Sequence, residues 1–350
     1  MSEVESQAEN DAVKVRALLP SDAERLTACF ERTYGRSYAH EVYVDPAVIR
    51  ERLAQGRLHS AVAVTADGEI VGHIGLILRR DGDVTVDGGG TVVDPRYRNR
   101  GLVRRLGARI LPLFSELDLL GYHHYPVTTH DIIQRVGAAG GDVELGLMLA
   151  YSPALDVAAR SDVVDACNGE RTAALMLYHA TAEAPEREVH LPDAHAEMIR
   201  SVLVSAGVSR RYLAHDGGCD RGAKPAVGLT VEKEAGRGLV RLTVEYAGND
   251  SRVAAGALTE AVTEAARSGV ELIHLDIPLA GPDALGVVGP ARDLGFFFCG
   301  VLPEYRDGDV LRLQRLEPGV SESPVISLHT DRARELLSFV QTDRASVANG

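Results

Sequence analysis

The order of strand and helix patterns constrains the fold most, because one order recurs in a shorter version in the second half of the chain. Residues 13–184 alternate between strand-like and helix-like spacing in the order β-α-α-β-β-β-α-β-α-β-β. Residues 187–317 show a helix, two strands, a long helix, a strand, a helix and a closing hairpin. At 350 residues the chain is long for one core. We therefore predict two tandem mixed α/β domains, each a mostly antiparallel sheet flanked by helices.

The segments outside these two regions are assigned by composition. Residues 1–12 are acidic and polar, which predicts a disordered tail. The charged segment 183–188 is predicted to be a linker between the domains. Residues 318–350 are predicted to be an extension that ends in a helix over 331–345 and packs back on a domain.

Charge and hydropathy exclude several classes of protein. The formal net charge is -13, and an acidic average repels nucleic acid. No apolar run approaches the length that spans a membrane, and the first residues lack the basic and apolar regions of a signal peptide. We expect a cytoplasmic protein with no nucleic-acid or membrane partner.

The four cysteines are widely scattered and show neither a CxxC pair nor the spacing of a metal site. We expect reduced thiols that pack in the interior and no bound metal ion. The residues are Cys29, Cys167, Cys219 and Cys299.

One basic stretch stands out in this acidic chain. Between a predicted strand and a predicted helix, six arginines surround Gly101. The start of a helix offers free backbone N–H groups and a positive dipole end, and a glycine there lets a phosphate approach the main chain. The stretch predicts a phosphate site, with a solvated arginine face as the alternative. The arginines are Arg96, Arg98, Arg100, Arg104, Arg105 and Arg109.

With this order of elements and this glycine, residues 13–184 resemble the GNAT acyltransferase superfamily. The family binds acetyl-CoA at a strand-to-helix turn with the pattern (R/Q)xxGx(G/A), and residues 98–103 read Arg-Asn-Arg-Gly-Leu-Val. Val103 departs from the small residue at the last position, which changes the fit around the pyrophosphate. The resemblance implies acetyl-CoA or another acyl-CoA as co-substrate, with no metal. It implies these binding residues: Val92, Val93, Arg98, Asn99, Arg100, Gly101, Leu102, Val103, Arg104 and His130.

The second region resembles the family only in its order of elements and in its closing segment 294–305. Its turn over 245–256 lacks the arginine and glycine arrangement of residues 98–103. We expect a degenerate domain that binds no CoA of its own.

A candidate base for amine chemistry lies on the strand before the arginine stretch. Asp87 has the spacing at which many family members carry a catalytic glutamate, and a carboxylate there takes a proton from an ammonium directly or through water. An ordinary strand carboxylate is the alternative. The adjacent glycines 88–90 predict a bulge or the close approach of a ligand, with simple distortion of the sheet as the alternative.

The tyrosine that usually donates a proton in the family is absent, since its position here is Gly137. The adjacent segment offers His123, His124 and Tyr125, and strand alternation directs some of them towards the cleft. His124 and Tyr125 are our candidate donors. Structural roles are the alternative, and paired histidines lack a third metal ligand.

The loop after the first helix is rich in aromatic and acidic groups. In this fold the loop usually walls the acceptor site, and such groups suit a cationic amine. Plain packing of the loop is the alternative. The candidate acceptor residues are Tyr34, Tyr38, His40 and Glu41, beside Tyr43.

The sequence as a whole predicts an acyl-CoA-dependent N-acyltransferase that acetylates a small amine, as a monomer or a homodimer. One alternative is transfer of a different acyl group, or use of a carrier-protein thioester. An alternative from another class is a non-catalytic acyl-CoA sensor, favoured by Gly137 and Val103.

Overall fold

The computed structural model describes residues 13–35, 38, 40–153, 170–214, 227–247, 251–321 and 325–348. The predicted tail over 1–12 lies outside the described residues. The chain forms two compact units. Among the described residues, the first unit contains those up to His124, and the second contains 125–153 and those from 170 onward.

The first unit is a five-stranded sheet with helices. Its strands are β1 (Lys14–Ala17), β2 (Leu58–Val64), β3 (Ile70–Ile77), β4 (Thr85–Val93) and β5 (Gly121–His124). They lie in the order β1-β2-β3-β4-β5, with antiparallel pairs except for the parallel pair β4/β5. The helices are α1 (Ala23–Tyr34), α2 (Pro46–Ala54), α3 (Leu102–Ile110) and α4 (Pro112–Glu116).

Local sequence explains several of these boundaries. The Asp45 side chain accepts a 2.8 Å hydrogen bond from the Ala47 backbone N–H, and Pro46 occupies the first turn, so α2 begins there. The second predicted helix of this region is confirmed. The helix predicted after Gly101 ends at Ile110, because Pro112 cannot continue the backbone bonding of α3.

Two apolar cores cover the sheet of the first unit. One contains Phe30 of α1 and Ile49 of α2. The other contains Leu106 of α3 and Phe114 of α4. Cys29 is buried as a free thiol, and burial raises its pKa to about 12, as expected of a packing residue.

The second unit has a larger sheet. Its strands lie in the order β7-β6-β13-β14-β12-β11-β10, and β8 and β9 form a separate parallel pair. The strands are β6 (Val143–Ser152), β7 (Thr172–Ala180), β8 (Arg187–Leu191), β9 (Arg210–Ala214), β10 (Val227–Glu234), β11 (Leu239–Ala247), β12 (Leu272–Pro278), β13 (Phe297–Arg306) and β14 (Gly308–Leu316). The helices are α5 (Ile132–Gly140), α6 (Ala196–Ser205), α7 (Ser251–Arg267), α8 (Val288–Asp293) and α9 (Asp331–Ala348).

The last helix, α9, packs on β6 and β13, as expected of the C-terminal extension. Leu336 and Val340 are fully buried in the core of this unit. Asp343 anchors the helix by accepting hydrogen bonds from the Phe298 backbone N–H (2.7 Å) and from Arg292 (2.6 Å). Cys299 is a buried free thiol in the same core, whereas Cys167 and Cys219 lie outside the described residues.

The mixed α/β class with mostly antiparallel sheets is confirmed. The predicted linker is wrong in part, because β8 begins at Arg187 and pairs with β9 over its whole length. The strand predicted to contain His123, His124 and Tyr125 is shorter than expected, since β5 ends at His124. The ranges 13–184 and 187–317 describe a repeated order of elements and stay a prediction. Within the described residues, no helix combines the length and the apolar character needed to cross a membrane.

Candidate functional site

The turn before α3 takes the backbone shape that the glycine motif requires. Gly101 caps the helix with φ 68°, and Asn99 also has a positive φ of 62°. The first backbone hydrogen bond of the helix runs from Arg105 N–H to Gly101 O at 3.2 Å. The amides of residues 102–104 therefore precede the bonded part of the helix and lie at its positive end.

The space beside Gly101 is open. A Cβ placed there would meet no described atom within 4 Å. Arg98 and Arg104 are exposed and make no hydrogen bond or ion pair with the described part of the chain. Arg100 lies with its guanidinium carbon 4.9 Å from the centre of the Tyr97 ring. The turn thus combines open space, unsatisfied amides and positive charge.

Other arginines of the stretch have structural partners. Arg96 donates to Asp94 and to Glu69 at 2.8 Å each, and Arg32 of α1 donates to Asp94 at 3.0 Å. Hydrogen bonds from Arg96 hold the pKa of Asp94 well below its usual range. Arg105 donates to the Val13 carbonyl at 2.5 Å. Some arginines of the stretch therefore stabilise the turn, and the others line its open side.

A bulge interrupts β4 at the glycines. His73 of β3 pairs with Val92, whereas Gly75 pairs with Gly89, so two residues of β4 stand opposite one residue of β3. Gly90 has φ 60°, and a Cβ on it would lie 2.6 Å from the ring of Tyr43. Only glycine fits at this position, which explains part of the glycine run.

His73 holds the bulge in place. Its Nδ1 donates a 2.7 Å hydrogen bond to the Gly90 carbonyl, and its Nε2 accepts a 2.9 Å bond from the Ser60 hydroxyl. These partners fix one neutral tautomer, because a carbonyl can only accept. The ring is fully buried, and burial lowers its pKa to about 4.

This buried histidine makes the protein sensitive to acid. Its folded pKa of about 4 lies below the unfolded value of 6.5, so the unfolded state binds the proton first as the pH falls. Its contribution is complete above pH 6.5 and declines towards pH 4, by about 3 kcal/mol in total. We expect urea midpoints of the wild type to fall more steeply between pH 7 and pH 4.5 than those of His73→Asn. Parallel pH dependences would contradict this.

Beyond Asp87, β4 is paired on one side within the described residues of this unit. Its parallel pairing with β5 covers Thr85–Asp87 opposite Gly121–His123. Residues 88–93 continue along β3 but have no β5 partner. The Val92 side chain is buried and that of Val93 is half-buried, so their backbone groups, rather than their side chains, define this edge.

Asp87 is half-buried and paired with an arginine that the sequence did not single out. Arg79 donates a 2.8 Å hydrogen bond to Asp87 Oδ1 and a 2.9 Å bond to the Thr85 carbonyl. Asp87 stands opposite His123 across the parallel pair β4/β5. The arginine holds the carboxylate in one orientation on the strand that carries the bulge.

The remaining catalytic candidates divide between the two units. His124 ends β5 in the first unit, with its ring 5.4 Å from that of Tyr122. Tyr125 and His130 belong to the second unit, where the Tyr125 ring lies 6.3 Å from the Tyr151 ring. Their assignment to the site stays a prediction.

The aromatic residues of the candidate acceptor loop form one cluster. Tyr34 and Tyr38 stack at 4.8 Å, Phe30 lies 4.8 Å from Tyr38, and His40 lies 5.1 Å from Tyr43. Tyr43 is fully buried, and burial raises its pKa well above 10. Packing therefore accounts for Tyr43, while Tyr34 and Tyr38 are half-buried at the edge of the cluster. The Glu41 side chain lies outside the described residues.

Sequence reasoning missed Ser60, His73 and Arg79. A histidine within an otherwise apolar strand was the available signal for His73, because such a group needs partners when it is buried. Arg79 gave no comparable signal. In the described ranges, no three His, Cys, Asp or Glu side chains lie close enough to hold a metal ion together.

Comparison with known families identifies the region that carries this geometry. Residues 23–122 match the family described as acetyltransferase (GNAT). This segment contains β4, the bulge, the turn at Gly101 and α3. A search of curated proteins found no match.

Several solved structures that align with about half of the chain are acetyltransferases. One is a ribosomal-protein-S5-alanine acetyltransferase from Vibrio fischeri, with 18% identity over 48% of this chain and 93% of that chain, at a TM-score of 0.37. Another is a GNAT superfamily phosphinothricin acetyltransferase from Sinorhizobium meliloti in complex with AcCoA, with 15% identity, 49% and 90% coverage and a TM-score of 0.39. A spermidine/spermine N-acetyltransferase from Vibrio cholerae has 17% identity, 49% and 94% coverage and a TM-score of 0.37.

Proposed function

We propose, from the acetyltransferase (GNAT) domain that residues 23–122 form, that the protein transfers an acyl group from acetyl-CoA or another acyl-CoA to a small amine. The observation that carries the proposal is the turn at Gly101, where a positive φ, open space and three unsatisfied amides coincide. The pyrophosphate would bind to this turn as a whole, and no single side chain would hold it alone.

The turn fits a pyrophosphate on physical grounds. The amides of Leu102, Val103 and Arg104 would donate to phosphate oxygens, and Arg98 and Arg100 would add charge from the flanking turn. Val103 is 48% exposed, so its side chain need not block the amides. Arg96 would act indirectly, by fixing the turn through Asp94.

The unpaired edge of β4 fits the arm that leads to the thioester. The backbone of Val92 and Val93 would bond the amides of a pantetheine arm, because these residues have no β5 partner within the described part of this unit. The bulge at Gly90, held by His73, shapes the strand between this edge and Asp87.

Amine chemistry would take place near Asp87, with the aromatic groups Tyr34 and Tyr38 contacting a cationic acceptor. Asp87 would accept the ammonium proton, directly or through water, while Arg79 holds the carboxylate in place. His124 and Tyr125 are the proposed donors to the leaving thiolate. His130 would contact the CoA arm.

A non-catalytic acyl-CoA sensor is the second candidate, favoured by the surroundings of Gly137. A Cβ on this residue would lie 2.2 Å from Asp142 Oδ2. Asp142 is itself held by His179 at 2.8 Å. The position that usually supplies a tyrosine donor is therefore filled by another side chain, so an enzyme would need a different donor.

Turnover separates the two candidates. The purified protein is incubated with acetyl-CoA and a panel of small amines, including polyamines and amino acids, and free thiol is measured. Amine-dependent release of CoA supports the transferase. Saturable binding without release across the panel, for acetyl-CoA and for longer acyl-CoAs, supports the sensor.

We expect one CoA per chain. The motif occurs once, and residues 239–267 carry no equivalent of Arg98 and Gly101. Isothermal titration of the full-length protein should give a stoichiometry of about one, since we propose a phosphate site only at the turn before α3. Two CoA sites per chain would contradict the assignment of the second half as degenerate.

A further inference from the structure

A polar cluster lies within the sheet of the second unit, on one face of three neighbouring strands. Across the parallel pair β11/β12, Arg241 stands beside His274 and Thr243 beside Asp276. Across β12/β14, Asp276 stands beside Arg312. His274, Asp276 and Arg312 are each at most 1% exposed. Sheet interiors are normally apolar, so this face needs an explanation.

His274 is the least satisfied member of the cluster. Both of its ring nitrogens are buried and have no hydrogen-bond partner among the residues that the structure describes. The ring is parallel to that of Tyr151, with centres 5.9 Å apart, which leaves the nitrogens at its edge. Burial, together with nearby arginines, lowers its pKa well below 6.5, so the ring is neutral, with one N–H to donate and one nitrogen to accept.

Arg241 has a second unsatisfied donor. Its Nη2 contacts Glu234 at 2.8 Å, but its Nε is buried and has no hydrogen bond to the described part of the chain, at 3.9 Å from the nearest oxygen of Asp276. That oxygen is engaged by Arg312, which forms two 2.7 Å bonds to the Asp276 carboxylate. A buried donor without a partner costs free energy, and here two such groups stand on neighbouring strands.

The cluster also lacks one negative charge. Glu234 is shared between Arg237 (3.2 Å) and Arg241 (2.8 Å). The other two arginines have one carboxylate each, Arg171 with Glu271 at 2.6 Å and Arg312 with Asp276 at 2.7 Å. The cluster therefore contains four guanidinium groups and three carboxylates. The centre of the Tyr151 ring lies 4.4 Å from the Arg237 guanidinium carbon and borders the cluster.

We propose that this cluster is a binding site for a small monocarboxylate. The carboxylate would accept hydrogen bonds from the His274 ring N–H and from Arg241 Nε, and its single charge would balance the excess guanidinium. A phosphate dianion would exceed that charge and lose more hydration on burial. The site is built from residues of the second unit and does not depend on the proposed transferase activity.

Titration of the full-length protein with acetate tests the site. The protein is labelled with ¹⁵N-histidine, acetate replaces chloride at constant ionic strength, and phosphate is titrated separately. The His274 resonances, assigned by their absence from His274→Gln, should shift saturably with acetate and respond more weakly to phosphate. Acetate should also raise the unfolding temperature by mass action.

Two variants sharpen the test. His274→Phe removes both nitrogens and should weaken acetate binding about tenfold to a hundredfold, the loss expected of one charge-assisted hydrogen bond. Ile273→Val changes the adjacent, equally buried residue of β12 and should bind acetate like the wild type. The proposal is overturned by an unresponsive His274 in the folded wild type, by tighter binding of phosphate, or by unchanged affinity in His274→Phe. If that variant does not fold, the wild-type titration decides.

Discussion

Replacing Asp87 by asparagine is expected to lower kcat about a hundredfold to ten-thousandfold, the range typical of removing one general base. Asparagine keeps the size of the side chain and an oxygen that can accept the 2.8 Å bond from Arg79. The affinity for CoA should stay unchanged, because Asp87 lies on β4 and away from the turn at Gly101. Single-turnover kinetics and calorimetry measure the two quantities separately.

A matched control for this variant is Asp83→Asn. Asp83 also contacts Arg79, at 3.6 Å, but precedes β4. If the loss of activity came only from disturbing Arg79, both variants should lose turnover similarly. We expect the larger loss in Asp87→Asn, across a pH profile that rises on the alkaline side as the amine loses its proton. Equal kcat for wild type and Asp87→Asn would remove Asp87 as the base and direct attention to His124.

Replacing Gly101 by glutamate is expected to weaken CoA binding by at least about a hundredfold. The new carboxylate would occupy the open space in which the pyrophosphate is proposed to lie, and it would repel the phosphates beside the amides of residues 102–104. Calorimetric titration with CoA measures the loss, and circular dichroism checks that the variant is folded.

Two further variants separate charge from backbone strain. Gly101→Asn tolerates the positive φ of 68° better than other residues do and adds no charge, so it should retain most of the affinity. Gly107→Glu adds the same carboxylate to the same helix, at a second glycine with open space around its Cβ, and should bind CoA nearly as the wild type does. Unchanged affinity in a folded Gly101→Glu protein would refute the phosphate site.

The parts of the site that were predictable from sequence are those encoded within a few residues. The run from Arg98 to Arg104 contains its own turn, glycine and helix start, so local chemistry sufficed to predict its shape. The bulge near Gly90 was also predictable, because three glycines weaken a strand. The structure adds the reason for one of them, since Tyr43 leaves no room for a Cβ.

The rest depends on register between strands. His73 and Gly90 are seventeen positions apart in the sequence. Their hydrogen bond forms only because the register between β3 and β4 shifts at the bulge. The pairing of Arg79 with Asp87 has the same origin. The pairing of β6 with β13 was not predictable either, because pairing between strands that are distant in sequence leaves no local sequence pattern.

The contact between β6 and β13 has a consequence for how the protein is made. Gly146 and Gly300 face each other so closely that a Cβ on Gly146 would lie 2.0 Å from the Cys299 carbonyl oxygen. The ribosome releases the hairpin β6/β7 long before β13, so the nascent hairpin exposes a strand edge until β13 has emerged. Premature termination anywhere between these strands would leave that edge open to pairing with other chains, and neither glycine can be replaced by a larger residue without parting the strands.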